Sequence, residues 1–63
     1  MKNFIEVTTN TGEKTLINVK RIFRIEPLTD GCTVYFDSSF DYKTHSINVL
    51  NGYEELKSTI INL

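Results

Sequence analysis

Two hydrophobic periods divide this chain, and the point where one replaces the other limits its fold more than any other feature. Up to Val49 apolar residues alternate with polar ones, as in "NFIEVTT" and "CTVYF", the period of a strand with one buried face. After Asn51 the spacing changes. Tyr53, Leu56, Ile60 and Leu63 recur three and four apart, the stripe of an amphipathic helix. Strands followed by one helix define an α+β chain, and the expected architecture is an antiparallel β-meander of four to five strands with the C-terminal helix packed on one face.

Turn chemistry marks the boundaries. Asn10-Thr11-Gly12-Glu13 joins a strand over Asn3 to Thr9 to a second over Lys14 to Asn18. Asn and Gly accept the positive φ that a tight hairpin demands. Asn18 can cap a short helical turn in "NVKRI", which would tuck Val19 and Ile22 under the sheet. A strand from Arg24 to Leu28 contains Pro27, so the ladder must open or end there. Asp30-Gly31 is a hairpin signature leading into Cys32 to Phe36. Asp37-Ser38-Ser39 is a third turn, and Phe40 to Val49 is the last extended segment. Asn51 or Gly52 starts the helix; Asn51 is the better side-chain cap, and Glu54 and Glu55 suit the first turn.

This pattern nominates Ile5, Val7, Ile17, Ile25, Val34, Ile47 and Val49 for the inner face, with Leu56 and Ile60 of the helix against it. Phe4, Leu16, Tyr35, Phe40 and Tyr42 are out of phase with that face. Either a bulge near Thr44 or His45 turns Phe40 and Tyr42 inward, or the outer face is also apolar. A bulge there leaves Phe4, Leu16 and Tyr35, on other strands, facing outward. Exposed apolar residues of this kind mark interaction surfaces, so all five are interaction candidates.

The chain has 63 residues, one small domain spanning 1–63, with a single cysteine. Such a domain buries only about 60% of its unfolded surface, and small domains lean on disulfides, metals or self-association. One cysteine excludes an internal disulfide. Cys32 and His45 have no second ligand beside them, so no metal site is expected. Cys32 reads as a small buried hydrophobe and His45 as an exposed strand residue. The oxygen-rich Asp37, Ser38, Ser39 and Asp41 lack the length and closing Glu of a calcium loop and read as a turn. Gly12, Gly31 and Gly52 are isolated, so no phosphate-cradling loop exists. No catalytic residue or cofactor is nominated, and the chain reads as non-enzymatic.

The net charge is −1. Phe4, Phe23, Tyr35, Phe40 and Tyr42 could line a sheet face, and such faces stack bases in nucleic-acid modules, but those faces are basic; with Lys20-Arg21 as the densest cluster, nucleic acid is the alternative rather than the main reading. No apolar run is long enough to span a membrane, and "MKNFIEVTT" has no signal-peptide core. A cytoplasmic location is the default expectation.

The chain also resembles the small flagellar-operon accessory proteins known as FlbD or SwrD. The residues that carry the resemblance are Ile5 to Thr8, Gly12, Leu16 to Asn18, Ile22, Ile25, Glu26, Thr33, Val34, Val49 and Tyr53 to Leu56. It implies a small cytoplasmic accessory protein that acts by contact, with no catalytic site. The function expected is therefore an interaction module, working by homo-oligomerisation or by docking on a larger protein assembly.

Overall fold

The computed structural model of the chain describes residues 3–37 and 46–63. Strands β1 (Phe4–Thr8) and β2 (Lys14–Asn18) form an antiparallel hairpin. A 3₁₀ turn (Val19–Arg21) follows, and then β3 (Ile22–Leu28), β4 (Gly31–Phe36) and β5 (Ser46–Val49) form an antiparallel three-stranded sheet in sequence order. Helix α1 (Tyr53–Ile61) closes the chain. The fold is α+β, as the two periods require, with its five strands divided between two sheets.

Among the described residues one seam joins the sheets. Thr9 bridges Val49 antiparallel, Leu50 N–H donates to the Thr8 carbonyl at 2.7 Å, and Asn10 N–H donates to the Asn48 carbonyl at 3.0 Å. The inner faces meet in one core. Ile5, Val7 and Ile17 come from the hairpin; Cys32, Val34, Phe36 and Val49 come from the second sheet; Leu56 comes from the helix. Ile25, Ile47 and Ile60 pack against this cluster while only partly buried, as do Val19 of the 3₁₀ turn and Ile22 at the start of β3. Much of each inner face is thus covered by the other sheet, and the helix adds Leu56.

Local chemistry accounts for the joints. Asn18 caps the 3₁₀ turn through its side chain, accepting from Lys20 N–H at 3.0 Å. Gly31 has φ +135°, and a Cβ there would run into the Val49 carbonyl oxygen; only glycine allows β5 to approach this closely. Pro27 is tolerated because β3 is an edge strand.

Three expectations change. Of the two N-caps offered, Gly52 is used rather than the favoured Asn51: Gly52 N–H donates to the Glu55 carboxylate at 3.4 Å, while the Asn51 side chain accepts from Thr8 N–H at 2.9 Å. Thr8 N–H points away from the hairpin and needs that acceptor more than the helix does. Leu63 lies beyond the last helical turn and is 58% exposed, so the apolar stripe stops at Ile60. The strand that ends in Leu28 starts at Ile22 rather than Arg24, because a bulge places Phe23 and Arg24 opposite Tyr35 alone. Ile22 and Ile25 are three apart, so both can face inward only if the strand carries one extra residue. The bulge expected near Thr44 or His45, together with Phe40 and Tyr42, falls outside the described residues.

Candidate functional site: the outer face and edge of the hairpin

Alternation places Phe4, Glu6 and Thr8 of β1, and Lys14, Leu16 and Asn18 of β2, on the outer face of the hairpin. The register sets Phe4 opposite Asn18 and Glu6 opposite Leu16. Phe4 and Leu16 are therefore diagonal neighbours, about 7–8 Å apart between backbones and within reach of an aromatic side chain. Phe4 is 39% exposed and Leu16 is 52% exposed.

Tyr35 is elsewhere. It lies on the outer face of the second sheet, separated from Phe4 and Leu16 by the core. Its hydroxyl donates to Glu26 Oε1 at 3.1 Å. The Arg24 guanidinium lies 4.7 Å from its ring centroid and 3.6 Å from the Glu26 carboxylate. Thr33 and Asn48 hydrogen bond beside it at 2.8 Å. This face is a ladder of mutually satisfied side chains. The structure thus brings together Phe4 and Leu16 among the five candidates, sets Tyr35 apart, and leaves Phe40 and Tyr42 outside the described residues.

One exposed aromatic, Phe23, belongs to the sheet-face aromatics of the sequence but not to the five interaction candidates. Phe23, at the bulge, is 73% exposed. Its signal was the odd spacing of Ile22 and Ile25, which forces both residues between them, Phe23 and Arg24, out of the core.

The backbone of β2 adds a second feature. Thr9 N–H donates to the Glu13 carbonyl, and Val19 N–H to the Asn3 carbonyl, both at 2.7 Å. These bonds extend the hairpin register at either end, so the odd-numbered residues of β2 exchange backbone bonds with β1. The N–H groups of Lys14, Leu16 and Asn18 point to the opposite edge, where no described strand pairs with β2. Beneath that edge is a groove of about 880 Å³ bordered by Leu16, Ile17, Phe36 and Ile47.

Chemistry elsewhere is quiet. Cys32 is fully buried, its thiol donates to the Asn51 carbonyl at 3.3 Å, and burial pushes its pKa up; a buried, protonated thiol is a poor nucleophile. Among the described residues no three His, Cys, Asp or Glu side chains converge as a metal site would require, and no helix is long and apolar enough to cross a membrane.

These features define a small α+β domain whose most distinctive surface is an apolar hairpin face beside a strand edge that no described strand pairs. No protein-family model matches the chain, and no curated protein or solved structure matches it.

Proposed function

We propose that this protein is a non-enzymatic interaction module that acts through the outer face and edge of its β1–β2 hairpin, by self-association or by docking on a larger assembly. The observation that carries this reading is the pairing of exposed Phe4 and Leu16 on one small sheet face. Two adjacent apolar side chains held outward by a rigid hairpin lose little conformational freedom on binding, which favours contact there. The resemblance to the flagellar-operon accessory proteins implies the same mode of action, by contact and in the cytoplasm. The charge distribution supports a protein partner over nucleic acid. Arg24 is engaged by Glu26 and Tyr35, Arg21 is 3.7 Å from Asp37, and on the hairpin face Lys14 is balanced by Glu6 beside Leu16, so among the described residues neither outer face surrounds an aromatic platform with a basic stripe.

Light scattering at micromolar concentration, with a heparin column at low salt, tests the proposal. The expected result is a multimeric mass that Phe4→Ser lowers and Tyr35→Ser leaves unchanged, without heparin retention. A strict monomer that heparin retains would overturn it.

A further inference from the structure

We infer that the partner at this site is a second copy of the chain, joined by antiparallel pairing of β2 with β2 about a twofold axis through Leu16. The inference rests on the interaction reading above and names the partner and the register.

The edges of the sheets are treated differently. On β1 the outward N–H and C=O of Thr8 are taken by Asn51 and Leu50, and the remaining outward positions are Phe4 and, at the strand centre, the charged Glu6, whose pairing with its own copy would oppose two carboxylates. Strand β3 carries a bulge at Phe23 and Pro27, and α1 packs against it. Bulges, proline and covering elements are the usual protections of a free edge. Strand β2, "KTLIN", has no bulge, no proline and an apolar residue at its centre.

The pairing phase selects the register. Lys14, Leu16 and Asn18 hold the outward backbone groups, so an antiparallel partner must set even positions against even positions. Centring on Leu16 places Leu16 against its own copy and Lys14 against Asn18. About four backbone hydrogen bonds result: two between the Leu16 residues, and one from each Asn18 N–H to the opposing Lys14 carbonyl. The Asn18 carbonyl is spent on opening the 3₁₀ turn. This register holds the two Lys14 side chains about 14 Å apart along the strands. A shift that sets Lys14 against Leu16 halves that separation, and one that sets Leu16 against Asn18 brings Lys14 opposite Lys20. Like charges directly opposed destabilise a sheet, so charge and hydrogen bonding select the same alignment. The product is a four-stranded sheet with the two Leu16 side chains in contact on its outer face. An isologous contact of this kind closes on itself and stops at two copies.

The test uses Leu16→Lys and Leu16→Glu in the full chain, with far-UV circular dichroism to confirm that each keeps the wild-type fold. Wild type should sediment at twice the 7.3 kDa chain mass, with slow hydrogen exchange at the Leu16 and Asn18 amides. Each variant alone should be monomeric, with those amides exchanging at least tenfold faster, and an equimolar mixture should recover the dimer. A dimeric wild type that Leu16→Lys leaves dimeric, or a mixture that stays monomeric, would overturn this register while leaving self-association through another surface intact. A monomeric wild type would overturn both this pairing and the self-association on which it rests.

Discussion

Leu56 is the one fully buried side chain of α1, with Ile60 only partly buried against the same core, and its removal should loosen α1 from the sheets. It is 2% exposed and belongs to the cluster that includes Val7, Val34 and Val49. Truncating a buried leucine to alanine loses transfer free energy and leaves a cavity, about 2–5 kcal/mol in total. At about 0.05–0.15 kcal/mol per residue, a domain this size has only about 3–9 kcal/mol of stability. A nine-residue helix has no independent stability in water, so the rest of α1 cannot hold its place once the anchor is gone. At about 4–8 °C per kcal/mol for a small domain, a loss of about 3 kcal/mol lowers the thermal midpoint by about 12–24 °C. Thermal melts and urea titrations of Leu56→Ala, followed by far-UV circular dichroism, measure this. Ile61→Ala, exposed on the same helix, is the control and should stay within about 0.5 kcal/mol of wild type. An unchanged midpoint for Leu56→Ala would refute the argument that the helix is anchored by this side chain.

Gly31→Ala should cost at least about 2 kcal/mol in urea titration, since it combines a left-handed φ with a Cβ directed at the Val49 carbonyl. Gly12→Ala also has positive φ but open space around it, and it should cost less; the reverse order would contradict the close approach of β5 to Gly31. Asn51→Ala should lose about 1–3 kcal/mol by stranding Thr8 N–H, with Asn51→Asp recovering part of it; equal losses would mean that the amide acts otherwise than as an acceptor. Burial raises the Cys32 thiol above its ordinary value of 9.0. The unfolded chain therefore releases this proton first, and the contribution to stability is intact below pH 9 and lost as pH rises towards the folded-state value. The difference in stability between wild type and Cys32→Ala should accordingly narrow above pH 9, and a constant difference would show that the thiol does not titrate differently on folding.

The periodic parts of this fold are legible in the sequence. The alternation that exposes Phe4 and Leu16 is the same alternation that buries Ile5, Val7 and Ile17, and the spacing of Leu56 and Ile60 marks the face that α1 turns inward. What the pattern leaves open is how strands meet across long sequence separations. The seam at Thr9 and Val49 consists largely of main-chain bonds, which leave no mark on residue type, so one meander and two joined sheets read alike. Asn51 is ambiguous for a related reason. Its side chain suits a helix cap, but Thr8 N–H competes for it, and that competition exists only once β1 lies beside the end of β5. Tyr35 was separable from Phe4 and Leu16 only when the second sheet was folded over the first. At Phe23 the odd spacing of Ile22 and Ile25 was masked, because a helical turn took Ile22 together with Val19 and the strand was expected to begin only at Arg24.

The Asn51–Thr8 bond spans 43 residues, and this has a consequence for synthesis. The hairpin has strong local turn signals, yet its inner face stays uncovered until the last third of the chain is present. Closing so long a loop costs entropy that only the completed core returns. During translation the N-terminal strands must wait, with Ile5, Val7 and Ile17 exposed, until Val49 and Leu56 have emerged from the ribosome.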